Sequence, residues 1–581
     1  MLQTTAQGQR KRYLLRIIFW LLAILLGTIQ AWANRFSLSS EDLISYLDIA
    51  DAYLAGEWHL AINGNWSPLY SWLLGLTIYV FNPSPYWELP VVKLTNFLIY
   101  LFALISFEFF LGELLLDYKK RFLGAHNKYF SIPEWTLEVL GYSLFLWSAL
   151  NLTGVYCDTP DMCTAALVYL ASGIVLRVHT RSASWFNFIM LGVVLGFGYL
   201  SKAAMFPLAF FFLLVGTLSV GNIQQALTRL LVALLTFTLI SAPFIVALST
   251  TKGRLTYSDT GKLSYVWYVN PSSRVIPNNH WQGGPPGFGQ PKHPTRKILN
   301  NPPVFEFITP IGGTYPPWTD PSYWYEGLTI RFSLNKQISV LAKNAIFYFT
   351  HFLGTLVFGY LVIAGVGKRF LLSLKALAKN WRLLVPATAG LVVYILVTDF
   401  QVNTLPTQPS TRFIAPFIVL LFSCCFVSVR LPNSQNSKRL IAGLTIATLL
   451  IIGNQLYFQV KQDLVTVLNK PENIEWQIAE SLHQLGIQPG EKVAVLKHNG
   501  YYWARLAQVK IVADIPNVNS FWEKDAEVKS EIFKAIEKTG AKVIVQMPSL
   551  KLPDSISASA WKKLGNTDCY AYILGNKLKD K

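Results

Sequence analysis

Apolar residues in this chain gather into runs of about twenty, separated by short polar breaks. That is the length an α-helix needs to cross a hydrocarbon core of about 30 Å. The runs occupy residues 13–33, 89–112, 134–150, 163–178, 186–200, 204–220, 228–248, 338–363, 383–399, 413–429 and 440–458. The pattern predicts an all-α polytopic membrane protein with about eleven spans, since helices satisfy every backbone polar group inside lipid. A shorter run, 68–81, precedes Asn82-Pro83-Ser84-Pro85 and is read as dipping into the membrane or lying along it. The run at 13–33 follows Arg10-Lys11-Arg12 and ends in Ala31-Trp32-Ala33, which mimics a cleavage site. It exceeds the usual signal-peptide core and is read as a retained first span.

The polar remainder has a different period after residue 459. Ile478–Leu485 and Ala526–Thr539 read as helices; Lys492–Lys497, Val509–Asp514, Ala541–Gln546 and Cys569–Ile573 read as strands. Helices alternating with buried-looking strands predict a small α/β domain at 460–581, beyond a transmembrane domain at 1–459. Without a Gly-rich phosphate loop, nucleotide binding there is disfavoured. No internal repeat is evident, which weakens a transporter built from inverted halves.

Charge then fixes the orientation. Of 581 residues only 14% are charged, against roughly 25% in ordinary globular proteins, and the net charge is +18. The basic residues gather in short loops: Lys119, Lys120, Arg121 and Lys128; Arg177 and Arg181; Lys368, Arg369, Lys375, Lys379 and Arg382; Arg430, Lys438 and Arg439. The positive-inside rule places those loops in the cytoplasm and argues against a nucleic-acid partner. Residues 34–88, 151–162, 249–336 and 400–412 then form outer loops, and 460–581 lies outside. The expected location is the plasma (inner) membrane. Short outer loops hold few cations, so Arg35, Lys202, Arg412 and Lys93 stand out as functional candidates. The five cysteines make no CxxC pair, which disfavours a zinc site. Cys157 and Cys163 flank Asp161, a spacing open to a disulfide on the oxidising side.

Two outer loops carry acids against helix ends: Glu41-Asp42 with Asp48, Asp51 and Glu57, and Asp158 with Asp161. On this threading both loops face the same side. Acids at such positions also serve as first-turn partners of the helix dipole, and Ser39-Ser40 makes a good N-cap; Asp48 and Asp51 read better as a solvated helix face. The chemistry that suits the remaining acids is sugar transfer from a polyprenyl phosphate. The leaving phosphate needs cations, and the acceptor hydroxyl needs a carboxylate to take its proton.

Several segments together resemble GT-C membrane glycosyltransferases of the protein O-mannosyltransferase and aminoarabinose-transferase type. Asp42 to Gly56, with Tyr46, Ala50 and Leu54, is similar to the first-loop motif D-x-x-x-Y-x-x-x-A-x-x-x-L-x-x-G, one residue shorter before the Gly. Trp66-Ser67-Pro68-Leu69-Tyr70-Ser71-Trp72 resembles the P-P-L-x-x-W segment, with Ser67 in place of the first Pro. Thr159-Pro160-Asp161-Met162 resembles the second-loop Asp motif, Gly198-Tyr199-Leu200-Ser201-Lys202 a later Lys element, and Arg412-Phe413-Ile414-Ala415-Pro416 a late R-Y-x-x-P element. The elements run in order over about 35–430.

The resemblance implies a GT-C fold and an inverting transferase using a polyprenyl-phosphate sugar, with a lipid, glycan or protein acceptor. Asp42 is implied as base or metal-coordinating acid, with Glu41 beside it as the alternative, and Asp161 as the second acid. Lys202, Arg412 and Lys93 are implied to neutralise the phosphate, and Tyr46, Trp66 and Tyr70 to line the substrate. Relatives with and without a divalent metal exist, so a metal at Asp42 and Asp161 stays open, and no other cofactor is expected. The aromatic loop 249–336, with His280, His293, Arg296, Trp318 and Tyr323, is read as capping the site and selecting the acceptor, since aromatic faces stack on sugars. An interfacial lid is the plainer alternative for it. Rival functions are a transporter or lipid flippase, which would need charges lining a path through the spans, and an envelope-polysaccharide ligase using a diphosphate-linked donor, which would lean on Arg296 and His293.

Overall fold

A computed structural model describes residues 6–123, 130–270, 280–284, 287–308, 312–354, 359, 370–398, 400, 410–496, 500–548 and 560–575. The chain divides into two compact units. One comprises Met1–Arg35, Lys93–Thr250 and Phe332–Lys470; the other comprises Phe36–Val92, Thr251–Arg331 and Pro471–Lys581.

The first unit is helical. Over its described residues, each apolar run expected to span falls largely in a helix. Among the described residues, Arg12–Ala33, Pro85–Arg121, Asp161–Thr180, Ile223–Lys252 and Gln435–Leu468 are long and apolar enough to cross a membrane. A sixth is counted if Leu371–Lys379 and Trp381–Val397, bent by 81°, form one broken span. This is the construction of a multi-pass membrane protein. The remaining runs fall in shorter helices: Glu134–Trp147, Trp185–Ser201, Met205–Leu218, Leu334–Tyr348 and Ala415–Ser428. At 1.5 Å per residue, helices of this size reach only roughly 21–26 Å, short of a hydrocarbon core unless their flanks add to them. Most of the expected span 338–363 beyond Gly354 lies outside the described residues, as do Lys128, Lys368, Arg369 and most of the 400–412 loop.

Several basic residues near the helix ends are paired with acids. Arg12 and Arg16 both reach the fully buried Glu138, Arg16 at 2.8 Å, and Arg12 also meets Glu134. Arg181 meets Glu113 at 3.2 Å. The first helix, whose apolar stretch is mostly unburied, is thereby tied to the Glu134–Trp147 helix by charge.

The second unit holds the sheet. Strands β1 (Arg296–Asn300), β2 (Pro303–Glu306), β3 (Lys492–Leu496), β4 (Lys510–Ile515), β5 (Val543–Gln546), β6 (Lys562–Lys563) and β7 (Tyr570–Ile573) assemble in the order β1-β2-β4-β3-β5-β7-β6. The central β4, β3 and β5 are parallel, and the flanking pairs are antiparallel. β3 and β5 are almost continuously apolar and buried, as strands covered on both faces must be. Ala526–Glu537 makes the crossover from β4 to β5 and packs Ile532 and Ile536 into the core with Phe521, Ile544 and Val304. The carboxy-terminal strands therefore do not close a sheet by themselves. β1 and β2, from the long loop, pair through β2 with β4 and extend it.

Candidate active site

In the first unit, Asp161 opens the Asp161–Thr180 helix and Lys202 caps the end of the Trp185–Ser201 helix. The two helices run antiparallel, and the Thr164 and Ser201 hydroxyls, 3.0 Å apart, join them at this end. Asp161 is 3% exposed, and its carboxylate accepts from Lys202 Nζ, from Arg412 Nε at 2.9 Å and from Thr159 Oγ1 at 2.8 Å. Arg412 arrives on the turn Ser410–Phe413, just before the Ala415–Ser428 helix. The Phe413 ring lies against both cations, 4.0 Å from Lys202 Nζ and 4.3 Å from the Arg412 guanidinium carbon. Tyr394 stacks on Phe413 at 5.5 Å. Two cations, one carboxylate and an aromatic wall thus meet at the ends of three helices. A buried arrangement of this kind is suited to an oxyanion, because the cations are already desolvated and oriented.

Lys93 does not join that cluster. Its Nζ donates to both oxygens of Asp158, at 2.6 and 2.8 Å, and to the Tyr156 carbonyl at 2.9 Å. Asn96 donates to the Cys157 carbonyl and to Asp158, both at 3.2 Å. Three donors on an ammonium and three acceptors close this interaction. Its geometric effect is to anchor the loop that leads into Asp161. Gly154 starts that loop at φ +84°, and a Cβ there would lie 2.5 Å from the Tyr156 ring, so only glycine fits.

In the second unit, Asp42 is half-buried at the first turn of the Asp42–Ala55 helix. Glu41 occupies the N-cap position without a side-chain cap, and the Ser40 hydroxyl accepts the Asp42 N–H at 3.1 Å. The Glu41 carboxylate instead accepts the Gly500 N–H. One turn beyond Asp42, Ser45 donates to the Trp318 carbonyl at 3.1 Å, and Trp66 Nε1 donates to the same oxygen at 3.2 Å. The Tyr46 ring meets Trp66 at 5.2 Å and Tyr70 at 5.0 Å; Trp66 meets Trp318 at 6.0 Å. Glu41, Asp42, Tyr46, Trp66, Tyr70 and Trp318 are therefore brought together. Tyr323 instead stacks on His293 at 3.6 Å, and the exposed Arg296 pairs with Glu306 across β1 and β2.

Two features escaped the sequence. Asp48, expected on a solvated face, is buried; burial pushes its carboxyl up, opposed by Arg505 at 3.0 Å and by Thr314, whose N–H donates at 2.7 Å. Arg505 lies in the short helix Tyr502–Leu506, which no apolar period marked. His280 is held by Asp514 at 2.9 Å between the Phe305 and Phe307 rings, a packed setting far from that of an open ligand. All five cysteines are free thiols, including Cys157 and Cys163. Among the described residues, no group of three or more His, Cys, Asp or Glu is arranged to hold a metal ion. Asp161, with Lys202 and Arg412 on its oxygens, is likewise a poor fit for a metal cation.

No family model matches this chain, and no curated protein matches it. Solved structures do. ArnT from Cupriavidus metallidurans bound to undecaprenyl phosphate matches with a TM-score of 0.52 at 12% identity, covering 96% of this chain and 98% of that one. The apo state of the same protein matches with a TM-score of 0.50 at 12% identity, covering 95% and 97%. Archaeal oligosaccharyltransferase AglB from Archaeoglobus fulgidus, in complex with an inhibitory peptide and a dolichol-phosphate, gives 0.45 at 13% identity, covering 92% and 69%. ArnT is a GT-C superfamily member, and this chain shares its fold along nearly its whole length.

Proposed function

We propose that this chain is a membrane glycosyltransferase that moves a sugar from a polyprenyl-phosphate donor to a lipid, glycan or protein acceptor on the extracytoplasmic face. The observation that carries the reading is the buried Asp161–Lys202–Arg412 cluster on its aromatic wall. Lys202 and Arg412 take the donor phosphate, and Asp161 holds the two cations side by side against their mutual repulsion. The undecaprenyl phosphate bound to ArnT, a protein of the same fold, supports this choice of ligand.

Asp42 acts as the base. The acceptor oxygen attacks the anomeric carbon, and the bond from that carbon to the phosphate oxygen breaks. The phosphate leaves with the electron pair, and the hydroxyl proton passes to Asp42. A single displacement of this kind inverts the anomeric centre. Glu41, engaged by the Gly500 N–H, holds the start of the helix rather than the proton. Trp66 and Trp318, partly exposed and backed by the buried rings of Tyr46 and Tyr70, form the aromatic surface that a sugar face would meet. We assign no step to a metal.

The test is incubation of purified protein in lipid nanodiscs with a panel of undecaprenyl-phosphate sugars, reading free undecaprenyl phosphate by mass spectrometry. Release from at least one donor, lost in Asp42→Asn, supports the reading. Release at the wild-type rate in Asp42→Asn overturns it.

A further inference from the structure

The proposed base sits on a helix whose mounting is supplied by the carboxy-terminal segment. Arg505 is the centre of that mounting. Its Nη1 lies 3.0 Å from Asp48 Oδ1 and 2.7 Å from Asp51 Oδ2, both on the Asp42–Ala55 helix. Its Nε and Nη2 form a two-pronged pair with Glu88, at 2.9 and 3.0 Å. The guanidinium side chain is only 8% exposed. A planar fork that meets one carboxylate with two parallel bonds and two others along its edge fixes direction as well as distance.

The neighbours of Arg505 act on the same parts. Gly500 N–H donates to Glu41, the residue before Asp42. Tyr502 OH donates to Glu88 at 2.9 Å. Trp503 N–H donates to Glu475 at 2.8 Å, which binds the short helix Tyr502–Leu506 to the Ile474–Gln484 helix. Asp48 is held from its other side by Thr314, through the N–H at 2.7 Å and the hydroxyl at 2.9 Å. At Gly313 a Cβ would come within 2.9 Å of Asp48 Oδ2, so the chain passes close to this carboxylate. The Asp42–Ala55 helix is thus gripped at its start through Glu41 and along its body through Asp48 and Asp51. Both grips come from residues 500–505.

We propose that Arg505 is a positioning residue for Asp42, setting the rotation and depth of the Asp42–Ala55 helix through Asp48, Asp51 and Glu88. The carboxy-terminal α/β segment is then part of the catalytic apparatus rather than an appended module. This rests on the reading of Asp42 as the base. Arg505 touches no substrate in this scheme; it acts through the helix.

Two measurements on the full chain in nanodiscs test it. Hydrogen exchange of the Asp42–Ala55 amides should rise about tenfold in Arg505→Gln, because the buried fork holds two carboxylates of that helix against Glu88. Turnover of an undecaprenyl-phosphate sugar by the same variant should show kcat at least about tenfold lower, with KM for the donor and affinity for undecaprenyl phosphate within about threefold of wild type. Arg505→Lys, which keeps the charge and loses the fork, should recover only part of kcat. Unchanged exchange in Arg505→Gln overturns the proposal. So does raised exchange with kcat per folded molecule unchanged, or a loss spread equally over kcat, KM and undecaprenyl phosphate binding. The two readings fail separately. Asp42→Asn turning over at the wild-type rate sinks the assignment of the base and Arg505's role with it. An inactive Asp42→Asn beside a fully active Arg505→Gln sinks only the role of Arg505.

Discussion

Lys93 and Asp158 form a closed ion pair: the ammonium lies 2.6 and 2.8 Å from the two carboxylate oxygens, and the residues are 2% and 0% exposed. Removing one member leaves the other charged and buried. Lys93→Met should therefore cost about 3–5 kcal/mol of stability, and the double variant Lys93→Met/Asp158→Leu should recover most of it. Chemical denaturation in detergent checks this. The double variant also separates two roles for Lys93. If it anchors the loop, undecaprenyl phosphate affinity stays within about threefold; a direct phosphate ligand would lose at least about tenfold.

Arg412 and Lys202 should carry the phosphate. Charge-assisted hydrogen bonds contribute roughly 1.5–3 kcal/mol each, so Arg412→Ala and Lys202→Ala should each weaken undecaprenyl phosphate binding by roughly 10- to 100-fold. Native mass spectrometry of the lipid-bound fraction reads this directly. Because the cluster is buried, added salt should change the wild-type affinity little.

Much of this was legible in the residues and some was not. The apolar runs were long enough to announce helices, and Asp161, Lys202 and Arg412 were conspicuous because an acid and two cations stood at run ends where charge is costly. Alternation of short apolar runs marked β3, β4, β5 and β7. β1 and β2 carry no such mark: Arg296–Asn300 and Pro303–Glu306 are short, interrupted by Pro302, and become strands by pairing with each other and, through β2, with β4. Arg505 was unreadable for a similar reason. Its meaning comes from Asp48, Asp51 and Glu88, more than four hundred residues earlier, which local periodicity cannot connect. Lys93 stood out as a cation near an outer helix end, but its partner, three residues before Asp161, could be known only from the packed loop.

Glu475 provides a pH signature. Burial pushes its carboxyl up to about 7, with Glu41 adding to the rise and the Trp503 N–H opposing it. The folded state thus holds a proton that the unfolded chain releases near the ordinary glutamate value of about 4.3. The stabilisation this proton gives is full below that value and is lost as pH rises through about 7. Thermal unfolding should show stability falling by the equivalent of one proton between about pH 4.5 and 7.5, and Glu475→Gln should flatten that slope.

The orientation is tested by labelling. The native cysteines are all buried, so single introduced cysteines report cleanly. Glu527→Cys, on the exposed side of Ala526–Glu537, should react with a membrane-impermeant maleimide in intact cells. Arg439→Cys, at an exposed position in the basic stretch before the last long helix passes through the membrane, should react only after permeabilisation. The reverse pattern would invert the threading.

The most direct measurement is the undecaprenyl phosphate released from a panel of undecaprenyl-phosphate sugars by wild type, Asp42→Asn and Arg412→Ala, each shown to be folded in nanodiscs. The predicted result is release by wild type from at least one donor, a fall of at least about a hundredfold in kcat for Asp42→Asn with lipid binding intact, and a loss of lipid binding in Arg412→Ala. Wild-type rates in both variants would contradict it.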